Sequence, residues 1–341
     1  MSVRGPKRSI ASLSLGRAWV HALEPKLDAA LAAGYQGIEL FYEDLEYVAK
    51  ELPGGLTDAN RLAAAETIRG WCEGCGLEII VLQPFMHYEG LIDRKRHDER
   101  VDEFKHWLEL AGVLGTDLIA IPSTFLSESE CTGDFDVLVS DLREVSDLAA
   151  EKGVKVCYEA LCWGTHVNTW GQSYDLVKAV DRDNFGICLD TYNICGREYA
   201  DPAAENGRIP DAEEVISKSI ERMRTDLDPS KIFLVQAADA ELMRTPLTPS
   251  HPFHVDGQPP RMSWSRNARL FPGETSRGAY LPALEVMRAV TGKDGLGYDG
   301  WVSFEVFTRT LAEEGEKVPM EHAQRGRESW EWMDRELGWS K

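Results

Sequence analysis

Val154–Ala160 reads VKVCYEA, Phe185–Thr191 reads FGICLDT, Ile232–Ala238 reads IFLVQAA and Trp301–Phe307 reads WVSFEVF. Each is an apolar, β-branched run of strand length, and each carries one oxygen-bearing side chain toward its carboxyl end: Glu159, Asp190, Gln236 and Glu305. A single acid at a strand end is a cap or a solvated tip. Four in successive strands put oxygen donors where buried strands emerge from a core, and converging oxygen donors hold a hard divalent cation.

Similar runs occupy residues 9–15, 36–42, 77–84 and 117–123, so with 154–161, 185–190, 231–237 and 301–307 the chain has eight candidate strands. Between them lie EPKLDAALAAG, ANRLAAAETIRGWCEGCG, ERVDEFKHWLELAGVLG and FDVLVSDLREVSDLAAEKG, whose apolar residues recur every three or four positions and whose ends carry glycine. Strand and helix in regular alternation imply parallel strands. Eight such units without a glycine-rich nucleotide fingerprint predict an α/β fold of (β/α)₈ TIM barrel type, one domain over residues 1–341. In such a barrel the chemistry sits at the carboxyl ends of the strands. Glu39 and Gln83 fall toward those ends with the four residues above, and His87 and His166 lie in the loops just beyond.

The stretch Pro246–Tyr280, rich in Pro, Gly, Ser, His and Arg, is too long for a simple connection. Its Trp264 and Phe271 argue against disorder, which predicts an ordered lid loop between strands seven and eight.

Fifty-seven acidic against 37 basic residues give a formal charge of -20, which repels nucleic-acid backbones and anionic membranes. A small diffusible substrate is the expected partner. If that substrate is an anion, it needs local arginines to overcome the general field. A homo-oligomer is left open. The amino terminus MSVRGPKRSIASLSLG has no signal core and no run of about 18 apolar residues occurs, which predicts a cytoplasmic protein. Seven cysteines form an odd set and read as reduced thiols; Cys72 and Cys75 in WCEGCG lack the second pair that a zinc site requires.

SLSLG at 12–16, GIELFYEDL at 37–45, LQPF at 82–85, EALCWGTHVN at 159–168, NFGICLDTYNI at 184–194 and WSRNARLFPG at 264–273 together carry a resemblance. The chain resembles the xylose-isomerase-like barrels, and among them the 3-dehydroshikimate dehydratases, most closely the fungal quinate-pathway type. That likeness implies one divalent metal ion, Mg, Mn or Co, on Glu159, Asp190, Gln236 and Glu305, and conversion of 3-dehydroshikimate to protocatechuate. It also implies Arg269, with Ser265 and Arg266, at the substrate carboxylate, since guanidinium donors match two carboxylate oxygens. Elimination needs a base and an acid, and imidazole serves both near neutral pH, so His166 and then His87 are the expected catalytic groups. Related bacterial dehydratases carry a histidine after the strand-six aspartate in a pattern like DSFH, where this chain has Asp190-Thr-Tyr-Asn193. Asn193 accepts no proton, so its expected role is to orient substrate, and Glu39 is expected to orient a substrate hydroxyl. The alternative reading is a sugar or inositol isomerase, epimerase or dehydratase on the same barrel, with a metal polarising a ketose.

Overall fold

The computed structural model describes residues 5–340. Its eight barrel strands are β1 (Lys7–Ala11), β2 (Gly37–Phe41), β3 (Glu78–Gln83), β4 (Leu118–Pro122), β5 (Lys155–Glu159), β6 (Phe185–Asp190), β7 (Ile232–Ala237) and β8 (Trp301–Phe304). Each pairs in parallel with the next, and β8 closes on β1 through Lys7 opposite Trp301. The expected (β/α)₈ barrel is therefore present. Helices such as Asp58–Cys75, Arg94–Leu114 and Phe135–Ala150 return the chain between strands, and the first two end at Gly76 and Gly115 in the left-handed conformation.

Side chains alternate along a strand, so residues two apart share a face. Cys157, Cys188 and Leu234 pack together with Ile80, Val81, Leu118 and Ala120 in one small cluster inside the barrel. Two residues further along the same strands come Glu159, Asp190 and Gln236, which places them on the same inward face at its upper end. Register shifts between Ile38 and Glu39 and between Ile187 and Cys188 adjust that face locally, and Asp190 ends up opposite Gln236.

Two expectations need correction. The run 9–15 is not one strand: β1 stops at Ala11, and Ser12–Leu15 winds into a short 3₁₀ turn. The serines cause the change by replacing ladder bonds, because Ser12 Oγ accepts from Phe41 N–H at 3.0 Å and Ser14 Oγ accepts from Val306 N–H at 2.7 Å. The stretch 246–280 is also less irregular than expected. It holds a helix, Pro260–Ala268, the strand Arg269–Leu270, which pairs antiparallel with Asp239–Ala240 just before the stretch, and a 3₁₀ turn at Thr275–Arg277. Trp264, fully buried and bonded through its Nε1 to the Glu241 carbonyl, anchors the helix.

No described helix is long and apolar enough to cross a membrane. All seven cysteines are free, and burial pushes the Cys72 thiol up to about 12, as suits a packing residue.

Candidate active site

Glu159, Asp190 and Glu305 each present an oxygen within 4.8 Å of the others, and all three are buried. Gathering like charges in a desolvated place is unfavourable, and it disfavours ionisation. Burial, then Glu305 and Asp190, hold Glu159 well above the usual carboxylate range, against the pull of Arg269. Asp190 and Glu305 are raised too, mainly by burial, with Arg269 opposing.

Four nitrogen-bearing side chains tie the carboxylates into one network. Asn193 Nδ2 donates to Glu159 Oε1 at 2.7 Å and to Asp190 Oδ2 at 2.8 Å, while its Oδ1 accepts from Cys162 N–H at 3.0 Å. Gln83 Nε2 donates to Glu39 Oε1 and Glu305 Oε1, both at 2.8 Å. Gln236 Nε2 donates to the same Glu39 oxygen at 2.5 Å, and Gln236 Oε1 accepts from Cys188 Sγ at 3.3 Å. Arg269 Nη1 meets Asp190 Oδ2 at 2.8 Å and Glu305 Oε2 at 2.9 Å, and its Nε donates to Ser265 Oγ at 3.0 Å. Burial alone would lower the Arg269 pKa, but Asp190 and Glu305 outweigh it and raise it. Glu39 Oε2 is buried with no partner, so the cluster has an acceptor to spare.

This donor set fits a hard divalent cation. Three carboxylates whose oxygens lie close enough together to share one ion, in a buried spot and held by neutral amides, supply oxygen ligands in a fixed arrangement.

A cavity of about 410 Å³ opens above the cluster. Its polar wall is Arg17, Glu43, Glu159, Arg266, Arg269 and Glu305, with Gln83 and Ser265, and its apolar wall includes the rings of Trp19, Phe41, Phe125, Trp163 and Phe307. Trp163 Nε1 is buried there without a partner.

The structure gathers the expected metal ligands Glu159, Asp190 and Glu305, with Gln236 beside Glu39. Ser265, Arg266 and Arg269 reach the cavity as expected, whereas Asn193 and Glu39 do not line it and instead hold carboxylates or amides beneath it. The two histidines go elsewhere. His166 Nε2 faces the Cys131 carbonyl at 3.2 Å, and His87 Nδ1 faces Thr124 Oγ1 at 3.3 Å with its ring edge-on to Phe125. Neither lines the cavity. Burial and then Arg100 push His87 down to about 4, so it is neutral at ordinary pH. Arg17, Glu43 and Gln83 were not assigned roles from sequence. Gln83 had a signal, a polar residue ending a strand, but Arg17 just past SLSLG and Glu43 within GIELFYEDL end no apolar run that marks chemistry.

Residues 27–335 match the model of the xylose isomerase-like TIM barrel family. The chain belongs to this family. It is 49% identical to the 3-dehydroshikimate dehydratase of Neurospora crassa, over 97% of this chain and 94% of that one. It is 33% identical to the 3-dehydroshikimate dehydratase of Pseudomonas aeruginosa over 88% of this chain, which spans 38% of that longer relative. Among solved structures, a xylose isomerase-like TIM barrel/4-hydroxyphenylpyruvate dioxygenase fusion protein superposes with a TM-score of 0.74 and 28% identity, covering 98% of this chain and 43% of that one.

Proposed function

We infer that this chain is a metal-dependent 3-dehydroshikimate dehydratase that releases protocatechuate. The observation that carries the reading is the buried cluster of Glu159, Asp190 and Glu305 at the barrel mouth, in a chain 49% identical to a dehydratase of that name along nearly its whole length. Mg, Mn or Co is the cation such oxygen donors favour, with Gln236 as a fourth, neutral donor. When bound, the ion supplies Lewis acidity to a ketone oxygen whose neighbouring carbon loses a proton.

The reaction balances simply. One proton leaves the carbon beside the ketone, and hydroxide leaves the next carbon. Loss of a second ring proton, matched by a proton gained at the ketone oxygen, makes the ring aromatic, and the sum is one water lost. Asn193, Gln83 and Arg269 hold the carboxylates in place while this occurs. Proton transfer falls to the cavity wall, since neither His166 nor His87 lines it. Glu43 is the one carboxylate of that wall outside the metal cluster, half-buried in the first turn of Tyr42–Lys50. Burial raises its pKa, with Arg17 opposing, which moves it toward the range where a carboxylate both accepts and donates.

The substrate is a small anion, and seven free cysteines suit a reducing cytoplasm. The test is an ultraviolet assay of purified protein with 3-dehydroshikimate before chelation, after it, and with Mn or Mg restored. Aromatic product that disappears on chelation and returns with metal is expected; no aromatic product under any metal condition overturns the reading.

A further inference from the structure

The cavity holds three arginines, and their circumstances differ. Arg269 is spoken for: Nη1 serves Asp190 and Glu305 and Nε serves Ser265, so two carboxylates already balance its charge. Arg17 has no such balance. Among the described residues no carboxylate lies within 4.0 Å of its guanidinium, and its only side-chain hydrogen bond runs from Nη2 to the Arg266 carbonyl at 3.3 Å. Its guanidinium carbon lies 5.4 Å from the Trp19 ring centre and 5.5 Å from that of Phe307. Burial lowers its pKa, and Glu43 offsets this only in part from beyond ion-pair distance.

The backbone fixes where this side chain starts. Gly16, at a φ of 144°, makes the turn after Ser12–Leu15, and an added Cβ there would meet the His21 ring. Arg17 N–H then bonds the Leu311 carbonyl at 3.0 Å, and its own carbonyl accepts from Val20 and His21. Arg17 and Arg269 both approach the Phe307 ring, the latter at 4.9 Å, so a group bound against that ring is within reach of both guanidiniums.

We propose that Arg17 anchors the substrate carboxylate and so selects carboxylated over neutral rings. A guanidinium held without a counter-ion in a partly dry, aromatic-walled cavity keeps an unmet demand for an anion, which a ring carboxylate meets through paired N–H donors. The enone ring then reaches down toward Glu159 and Glu305. This deepens the dehydratase reading and rests on it for the identity of the substrate.

The experiment compares wild type with Arg17→Met and Arg17→Lys, using 3-dehydroshikimate against its methyl ester. In Arg17→Met the KM for the acid should rise about 10- to 150-fold, with kcat changed less than about threefold. Its preference for acid over ester should collapse, while Arg17→Lys keeps part of it. Calorimetry with benzoate against benzamide repeats the comparison without turnover, so it still decides if the chain proves inactive on 3-dehydroshikimate. Benzoate preferred by wild type and not by Arg17→Met supports the anchor. An unchanged acid-to-ester ratio, or an unchanged benzoate preference, in folded Arg17→Met overturns it.

Discussion

Glu43→Gln keeps the shape of the side chain and removes its ability to carry a proton. If Glu43 moves protons during elimination, kcat should fall about 10²- to 10⁴-fold while metal affinity stays at the wild-type value, because Glu43 lies outside the carboxylate cluster. Steady-state kinetics together with a Mn titration measure both, and full activity in the variant would remove Glu43 from the mechanism. The three clustered carboxylates were legible in sequence because each is a lone polar residue ending an apolar run, a pattern that a buried strand tolerates only where something outside offers a partner. That the two histidines do not line the cavity has a physical reason. Imidazole suits acid-base work anywhere near neutral pH, but loop position alone does not say which way the ring turns. His166 turns to the Cys131 carbonyl and His87 to Thr124. Arg17 was hidden because Ser9–Leu15 reads as one strand, which would leave Arg17 as an ordinary loop residue. The serine hydroxyls that end β1 early also set where Arg17 begins.

At the scale of elements, a buried acid helps hold the loop after β3 to the end of β4 and to β5. Glu89 Oε1 accepts from Thr124 N–H at 2.6 Å and from the Tyr158 hydroxyl at 2.8 Å, while Oε2 has no partner. Burial pushes Glu89 up to about 7, despite those hydrogen bonds. The folded chain therefore keeps a proton that the unfolded chain gives up from about 4.5, so this group favours folding at low pH and the contribution is lost as pH rises through that window. Glu89→Gln removes the titration. Between pH 4.5 and 8 the variant should lose on the order of 3 kcal/mol less stability than wild type, read from urea melts at both pH values. Identical pH slopes would show that Glu89 is not the proton carrier. Most elements were legible from apolar periodicity and terminal glycines. The helix Pro260–Ala268 was not, because its MSWSRNA core lacks an amphipathic stripe and is held instead by the burial of Trp264.

For the whole molecule, a closed barrel concentrates acidic groups at one mouth and leaves their repulsion as a standing cost of the folded state. A divalent ion binds only where the three carboxylates are assembled, and the unfolded chain does not assemble them. Millimolar Mn should therefore raise the melting temperature by a few degrees, and chelation should return it to the ion-free value. Glu305→Gln should lose most of that response. The remaining surface is strongly acidic, with a formal charge of -20, which makes local arginines decisive for admitting an anion. Barrel architecture and net charge were both legible from the sequence, since they depend on pattern and sums. The division of labour among the three arginines was not, because it depends on which guanidinium meets a carboxylate after folding.

The most direct check is a Mn-soaked crystal with anomalous diffraction collected at the metal edge. One strong peak per chain, about 2 to 2.6 Å from oxygens of Glu159, Asp190 and Glu305, is the expected result. A peak elsewhere in the chain, or none at saturating Mn, would contradict a metal centre at the barrel mouth.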